Sequence, residues 1–398
     1  MASAHPTISA WTPPVPWLAL AIALALPTVP VHAQRAGFVM TLGRDTVQVE
    51  AAERQGERIT GLVAIRSPRT RLLHYELTLD GGRLARYEQW LTDAGGQPLS
   101  PDPGRSVMVY TADSVFVDAM RNGQPVARRA AAPAGGYPFG TLPVGSPFVV
   151  LELALATARN QPIAEGPTLA RMSASGMQAA PSQTPLHFTR PDSVVVDYFR
   201  QGSFGVAFDA EGRLIRSDWR GTTLKVLVNR VAEVDPTAFA KRWATDEAAG
   251  GGFGALSPRD TARLRVGAAA VEVDYSRPAA RGRRVWGEVV PWDRVWRLGA
   301  DFATHLTTDR PLRFGEREVP AGSYTLWMVP SESAPLLIVN RQTRIFGTQY
   351  QASADLVRIP LRGDSSPELT ERLTIDVEGG RFVIRWADRV FAASVTSP

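Results

Sequence analysis

The sequence predicts a mainly β protein with two sheet-forming parts, and three observations lead to this fold class. Short segments such as residues 47–50 and 72–79 alternate between apolar and polar side chains, as half-buried strands do. Turn signals such as Asp80-Gly81-Gly82 separate these segments. One helical pattern interrupts them. We therefore expect an N-terminal antiparallel β meander or half-barrel with one buried helix, followed by a C-terminal β-sandwich or barrel-like domain.

The interrupting helix is predicted at residues 147–158. Ser146 before Pro147 is a strong helix-start signal, because serine caps the free N–H groups and proline suits the first helical position. The residues that follow are apolar on almost every face, with Glu152 as the exception. A helix of this composition is buried on most sides, so we expect it to lie inside the curved N-terminal sheet.

Breaks in the alternating pattern give the domain boundaries. Residues 35–234 read as the antiparallel β domain, and residues 262–398 read as the second β domain. Between them, residues 235–261 begin with Asp235-Pro236, which caps a short helix, and continue into a Gly-rich run. We interpret this middle segment as a short helix and a linker.

The first 33 residues have the pattern of an export signal. An apolar run at residues 17–26 is followed by two prolines and by Val31-His32-Ala33, which suits signal peptidase. We expect cleavage near Ala33/Gln34 and a periplasmic or secreted protein. The run is shorter than the roughly 20 residues that span a bilayer, and no later stretch approaches that length, so no transmembrane segment is expected after signal removal.

Composition excludes several chemistries. The chain has no cysteine, so it forms no disulfide and uses no thiolate. The net charge of +5 is modest, and the arginines are scattered rather than clustered, so we expect no nucleic-acid partner. The histidines after residue 33 are His74, His187 and His305, too far apart in sequence to suggest a zinc motif. Neither a P-loop nor a G-x-S-x-G elbow occurs, so no cofactor or metal is predicted.

A set of motifs fills the last third of the chain, at about residues 262–396. In order, they are Tyr275-Ser-Arg-Pro278, Gly282-Arg283, Pro291, Trp296-Arg297-x-Gly299-Ala300, Ala303-Thr304, Ala321-Gly322-x-Tyr324, Asn340, Gly347, Asp355 and Arg358. Together they resemble the bacterial family called domain of unknown function 2911. The resemblance implies an exported β domain, and it implies no reaction.

The chain departs from the usual pattern of that family at four positions. Asp301 and Phe302 stand where the family more often has asparagine and glutamate. Phe346 replaces a tryptophan before Gly347, and Leu336 lies near another expected tryptophan. Any chemistry that an asparagine–glutamate pair performs in relatives is therefore not expected here.

The strongest signature also suggests a polar pocket. Arg297 offers five N–H donors in a fixed fork that suits a carboxylate or a phosphate. The candidate binding-pocket residues are Arg297, Asp301, Thr304, His305, Tyr350 and Asp355. The alternative is that Arg297 pairs with a carboxylate such as Asp355 and merely fixes a loop.

Three functions follow from these patterns. The first is a non-enzymatic binding or envelope-associated module. The second is a carrier of an apolar ligand, held in the N-terminal half-barrel around helix 147–158. The third is a hydrolase that uses Arg297, Asp301 and His305. No recognisable catalytic motif decides whether the protein is an enzyme, and the partner expected is a small-molecule or apolar ligand.

Overall fold

The structure is a computed structural model. It describes residues 34–99, 104–132, 136–139, 143–159, 167–172, 174, 182–198 and 202–398. The predicted export signal, residues 1–33, lies outside these residues. Within the described part of the chain, neither helix is long and apolar enough to cross a membrane.

Fourteen of the described strands form one antiparallel sheet. They are β1 (Gln34–Leu42), β2 (Asp45–Gln55), β3 (Arg58–Ile65), β4 (Arg71–Asp80), β5 (Arg83–Thr92), β6 (Ser106–Tyr110), β7 (Ser114–Arg121), β8 (Gln124–Ala131), β9 (Thr168–Arg171), β10 (Ser182–Arg190), β11 (Ser193–Asp197), β12 (Ser203–Phe208), β13 (Leu214–Asp218) and β14 (Leu227–Val231). The order across the sheet is β8 to β1, then β14 to β9. Two meanders therefore meet where β1 pairs with β14, with Thr41 opposite Leu227.

Helix α1 (Phe148–Arg159) packs on the apolar face of this sheet. Its residues Phe148, Leu151 and Leu155 are each at most 1% exposed and belong to the same hydrophobic core as the strands. The ring of Phe148 lies 5.9 Å from that of Phe38 on β1 and 6.0 Å from that of Phe139. The predicted buried helix is confirmed, and its apolar side chains are part of the core on this face of the sheet.

Two polar side chains of β2 hold the N-terminus of α1. Glu50 accepts hydrogen bonds from the backbone N–H groups of Phe148 (2.5 Å) and Val149 (3.3 Å). Gln48 accepts from the N–H of Gly145 (2.6 Å) and donates to the carbonyl of Ser146 (3.0 Å). Free N–H groups at a helix start need acceptors, and a carboxylate also suits the positive end of the helix dipole. The cap therefore comes from a strand about 100 residues earlier in the chain.

Helix α2 (Pro236–Ala248) covers the other face of the sheet. Asp235 accepts hydrogen bonds from the N–H groups of Thr237 (2.9 Å) and Ala238 (3.1 Å), as the sequence predicts for an N-cap. Trp243 is buried against Val49 and other strand residues in a small separate cluster.

The remaining strands form a second layered body. They are β15 (Arg259–Val266), β16 (Ala269–Ser276), β17 (Thr304–Thr308), β18 (Leu312–Phe314), β19 (Arg317–Val319), β20 (Gly322–Val329), β21 (Leu336–Asn340), β22 (Asp355–Pro360), β23 (Arg362–Glu378) and β24 (Arg381–Ser394). In the described residues, a six-stranded sheet has the order β15-β16-β17-β20-β21-β22, and β23 pairs with β24 as a hairpin.

The hairpin and the six-stranded sheet share one core. Leu373 and Ile375 of the hairpin belong to the same buried cluster as Val273 and Leu326 of the sheet. Within the hairpin, Ile375 lies opposite Ile384 on the other side of the turn. Two β layers around a common core agree with the predicted sandwich-like class.

Phe253, in the segment between the two sheets, contacts an arginine on each side. The ring of Phe253 lies 3.9 Å from the guanidinium carbon of Arg281 and 4.7 Å from that of Arg66. Arg281 also donates to Asp45 at 2.7 Å, and its carbonyl accepts from the N–H of Arg44 at 3.0 Å. The turn between β1 and β2 therefore contacts the 279–284 loop directly. The predicted domain boundaries stay a prediction.

Candidate functional site

Arg297 is built into a tight loop that precedes β17. Trp296 exchanges backbone hydrogen bonds with Met328 on β20, and its indole N–H donates to the carbonyl of Gly299 at 3.2 Å. Leu298 and Asp301 both have left-handed backbone, with φ of 50° and 58°. This conformation is uncommon for side chains with a Cβ, so the surrounding contacts must hold the loop in place.

The stem of Arg297 packs against Gly347. A Cβ built on Gly347 would lie 2.0 Å from Cδ of Arg297 and 2.6 Å from the carbonyl oxygen of Asp301. Glycine is therefore required at position 347. The N–H of Gly347 donates to that same carbonyl at 2.8 Å, which closes the loop around the arginine.

The guanidinium of Arg297 has no protein counter-ion within ion-pair distance in the described residues. Its Nε is buried and has no hydrogen-bond partner there. Burial lowers its pKa, and the nearby charge of Asp301 opposes this shift. A desolvated guanidinium costs free energy unless its donors are satisfied, and its planar fork of N–H groups matches the geometry of a carboxylate or phosphate.

Asp301 and Thr304 complete the loop without forming a catalytic pair. Thr304 is fully buried, and its hydroxyl donates to the carbonyl of Leu298 at 2.7 Å. Asp301 is exposed and contributes its backbone carbonyl rather than its carboxylate to the contact with Gly347. Thr304 therefore has a structural role in this loop.

Both ring nitrogens of His305 lie within hydrogen-bond distance of N–H groups from arginines. The N–H of Arg344 donates to Nε2 at 2.7 Å, and Nη2 of Arg259 lies 3.0 Å from Nδ1. Burial and then the charge of Arg259 lower the pKa of His305, so the imidazole is kept neutral. A neutral ring has a single in-plane lone pair, and the contact with Arg344 occupies it. His305 is thus poorly placed to act as a general base.

Tyr350 and Asp355 belong to a separate network. The hydroxyl of Tyr350 donates to Asp355 at 2.8 and 3.0 Å, and Arg358 donates to the same carboxylate at 2.9 and 3.0 Å. Asn340 adds a further hydrogen bond at 2.9 Å. Asp355 is thus neutralised by Arg358, and the alternative in which it pairs with Arg297 is wrong.

The six candidate residues therefore lie in three groups. Arg297, Asp301 and Thr304 share the loop before β17, Tyr350 joins Asp355, and His305 contacts two arginines. None of the described hydrogen bonds joins one group to another. Sequence reasoning missed Asn340 and Arg358 as partners of Asp355, although both stand in the motif set.

Two of the departures from the family pattern touch each other. Phe302 and Phe346 form an isolated backbone bridge, and their rings lie 5.4 Å apart in an edge-to-face arrangement. Phe302 is nonetheless 49% exposed. An apolar pair therefore borders the Arg297 loop.

The second body is a two-layer β module, and the loop before β17 holds the stem of Arg297 against Gly347. Residues 257–395 match the family described as protein of unknown function (DUF2911), which confirms the resemblance predicted from the motifs. The comparison with curated proteins finds no match.

Proposed function

We propose that this protein is an exported, non-enzymatic binding module that holds a small anionic ligand at Arg297. The observation that carries the proposal is the guanidinium itself, which is desolvated and has no protein counter-ion in the described residues. Asp355 and Arg358, in contrast, form an ion pair with each other. An arginine held by packing keeps its fork of donors for a ligand.

The arrangement around His305 argues against hydrolysis. A general base needs a free lone pair within reach of the proton that it removes. The lone pair of His305 receives the N–H of Arg344, and no hydrogen bond to a carboxylate or hydroxyl is described for the ring. Asp355 is likewise bound by Arg358 and Tyr350.

The position of α1 argues against a carrier of an apolar ligand. Such a carrier needs an empty apolar hollow. Phe148, Leu151 and Leu155 occupy the hollow of the N-terminal sheet as part of its core.

Native mass spectrometry of the protein purified from its own host compartment tests the proposal. The wild type should carry an additional small anionic mass, and the mature chain should begin at Gln34. Arg297→Met keeps the packed stem and removes the donors, so this variant should fold and lose the mass. A bound lipid, a clean apo mass for the wild type, or turnover of the ligand would contradict the proposal.

A further inference from the structure

An open cavity lies beside the start of α2, on the face of the N-terminal sheet that this helix covers. Its volume is about 760 Å³, which is within the range of roughly 300–1,000 Å³ that is usual for small-molecule sites. Strands β1, β2 and β3 supply the floor, and the connection from β14 to α2 supplies one wall. Arg297 is not among its lining residues, so this cavity is separate from the proposed anion site.

Small side chains leave this space open. Gly37 on β1 lies opposite Ala51 on β2, and Ala51 lies opposite Leu62 on β3, so the three residues form one row on one face of the sheet. Val234 lies over the end of this row, because a Cβ built on Gly37 would be 3.3 Å from its Cγ1. The floor of the cavity is therefore apolar and shallow in side chains.

The next row along the same face is polar. Arg35 lies opposite Glu53, and Glu53 lies opposite Thr60. The nearest charged atoms of Arg35 and Glu53 are 3.8 Å apart, which is beyond hydrogen-bond distance, and the two side chains are 70% and 36% exposed. Exposed ion pairs of this kind contribute little free energy. Glu53 therefore keeps acceptor oxygens for a ligand in the cavity.

The charges of the lining residues do not balance. Carboxylates come from Glu53 on β2 and from Glu233 and Asp235 on the connection to α2. Arg35 is the one cation among these lining residues, so three negative charges and one positive charge leave −2, although the whole chain has a net charge of +5. Because β1 lies between β2 and β14 in the sheet, the acids line two sides of the floor.

We propose that this cavity binds an aliphatic diamine. The inference goes beyond the proposed function, because it concerns another site and a ligand of the opposite charge. Both amines are protonated at neutral pH, since the pKa of an alkyl ammonium group is about 10.4. The methylene chain lies over Gly37, Ala51 and Leu62, and the two ammonium groups bind Glu53 and Glu233. Asp235 already accepts from two N–H groups of α2.

Other cations suit the cavity less well. A monoamine neutralises one of the two excess charges and leaves the acid on the other side of the floor unpaired. A metal ion needs several oxygen ligands that converge on one point, and no group of three acidic or histidine side chains in the described part of the chain could hold one. The apolar floor favours an organic cation, because it removes methylene groups from water.

Calorimetric titration with putrescine, cadaverine and butylamine tests the ligand class. Both diamines should bind the wild type, and butylamine should bind about fivefold more weakly, the loss expected for one exposed ion pair. Added salt should weaken the binding of the diamines, because exposed charges are screened. The proposal fails if butylamine binds as tightly as putrescine, or if neither diamine binds the folded wild type.

Charge variants identify the acids. Glu53→Gln and Glu233→Gln should each weaken putrescine binding about fivefold. Glu318→Gln is the matched control, because it removes an exposed carboxylate of β19 in the second body and should leave binding unchanged. Equal losses in all three variants would show that putrescine responds only to the net charge of the chain, and the site would then be wrong.

A filled cavity tests the location directly. Ala51→Leu adds a larger side chain to the floor and should weaken putrescine binding at least about tenfold by occupying the space of the methylene chain. Ala127→Leu, at an exposed position of β8 at the end of the same sheet, should have no effect. Unchanged binding by Ala51→Leu would overturn the site. Arg297→Met should bind putrescine as the wild type does, so the outcomes for the two sites are independent, and thermal melting shows whether each variant is folded.

Discussion

The missing side chain at Gly61 leaves room for the ring of Tyr75, whose hydroxyl reaches the buried carboxyl group of Glu50. Gly61 on β3 lies opposite Tyr75 on β4, and a Cβ at position 61 would lie 2.1 Å from the Tyr75 ring. The tyrosine crosses this gap and donates to Glu50 at 2.7 Å. The absence of a side chain at position 61 is therefore part of how the start of α1 is anchored.

Gly61→Ala should destabilise the protein by about 3 kcal/mol, because the added methyl overpacks the core and displaces Tyr75 from Glu50. The free energy of unfolding in urea measures this loss. Gly205→Ala on β12 is the matched control, since nothing lies within 4 Å of its Cβ position. That variant should be neutral or slightly stabilised. Equal losses in the two variants would contradict the role of the gap.

His305 should titrate below its ordinary value of 6.5, because burial and Arg259 disfavour the charged ring. A folded-state pKa below the unfolded value means that protonation opposes folding. The contribution of His305 to stability is therefore present above pH 6.5 and is lost as the pH falls through the folded pKa. Imidazole resonances followed by NMR measure this midpoint. A midpoint at or above 6.5 would restore His305 as a candidate base.

At the scale of elements, the start of α1 depends on a buried carboxylate. Burial raises the pKa of Glu50 to about 7, although Tyr75 and the N–H groups of Phe148 and Val149 act in the opposite direction. Glu152 on the same helix raises it further and is itself paired with Arg230. Between pH 4.5 and 7, the folded protein therefore holds a proton that the unfolded chain has released.

The free energy of unfolding should fall by about 3 kcal/mol as the pH rises from 4.5 through 7, on account of Glu50 alone. Glu50→Gln should remove this slope, because the amide does not titrate. Glu53 lies on the opposite face of the same strand from Glu50, so Glu53→Gln should keep the slope of the wild type. Urea unfolding at several pH values compares the three proteins, and a slope that survives in Glu50→Gln would contradict the assignment.

Local patterns in the sequence predicted the helices and strands well. They could not predict contacts between residues that are far apart in the sequence. The strands at residues 47–50 and 72–79, the buried helix and the cap at Asp235 all follow from neighbouring residues. Glu50 is about 100 residues from the helix that it caps, and nothing near it in the sequence marks that role. Arg297 was predicted as a candidate, whereas the packing of its stem against Gly347 was not, because the fold brings together two residues that are 50 positions apart in the sequence.

At the scale of the whole molecule, Phe253 contacts residues on both sides of the segment between the two sheets. Its ring lies between Arg66 of the first sheet and Arg281 of the second body. Stacked guanidinium–ring contacts each contribute about 0.5–1 kcal/mol, and more when desolvated. The segment between the sheets is therefore a point of attachment between them.

Phe253→Ala should lower the free energy of unfolding by about 2 kcal/mol, because the contacts of its ring with Arg66 and Arg281 are lost while the ion pair between Arg281 and Asp45 remains. Phe116→Ala is the control. Its ring also lies 5.3 Å from the guanidinium carbon of an arginine, Arg129, but it is far in sequence from the segment between the two sheets. This control should lose less stability, because Phe116 is 43% exposed. Calorimetric unfolding compares the two variants, and equal losses would contradict the role of Phe253.

The most direct measurement is a crystal structure of the protein grown with tungstate, an oxyanion of phosphate shape whose anomalous scattering marks its position. A tungsten peak is expected within hydrogen-bond reach of Arg297. A crystal whose anomalous peaks lie only at exposed arginines, with none at Arg297, would contradict the proposed anion-binding function.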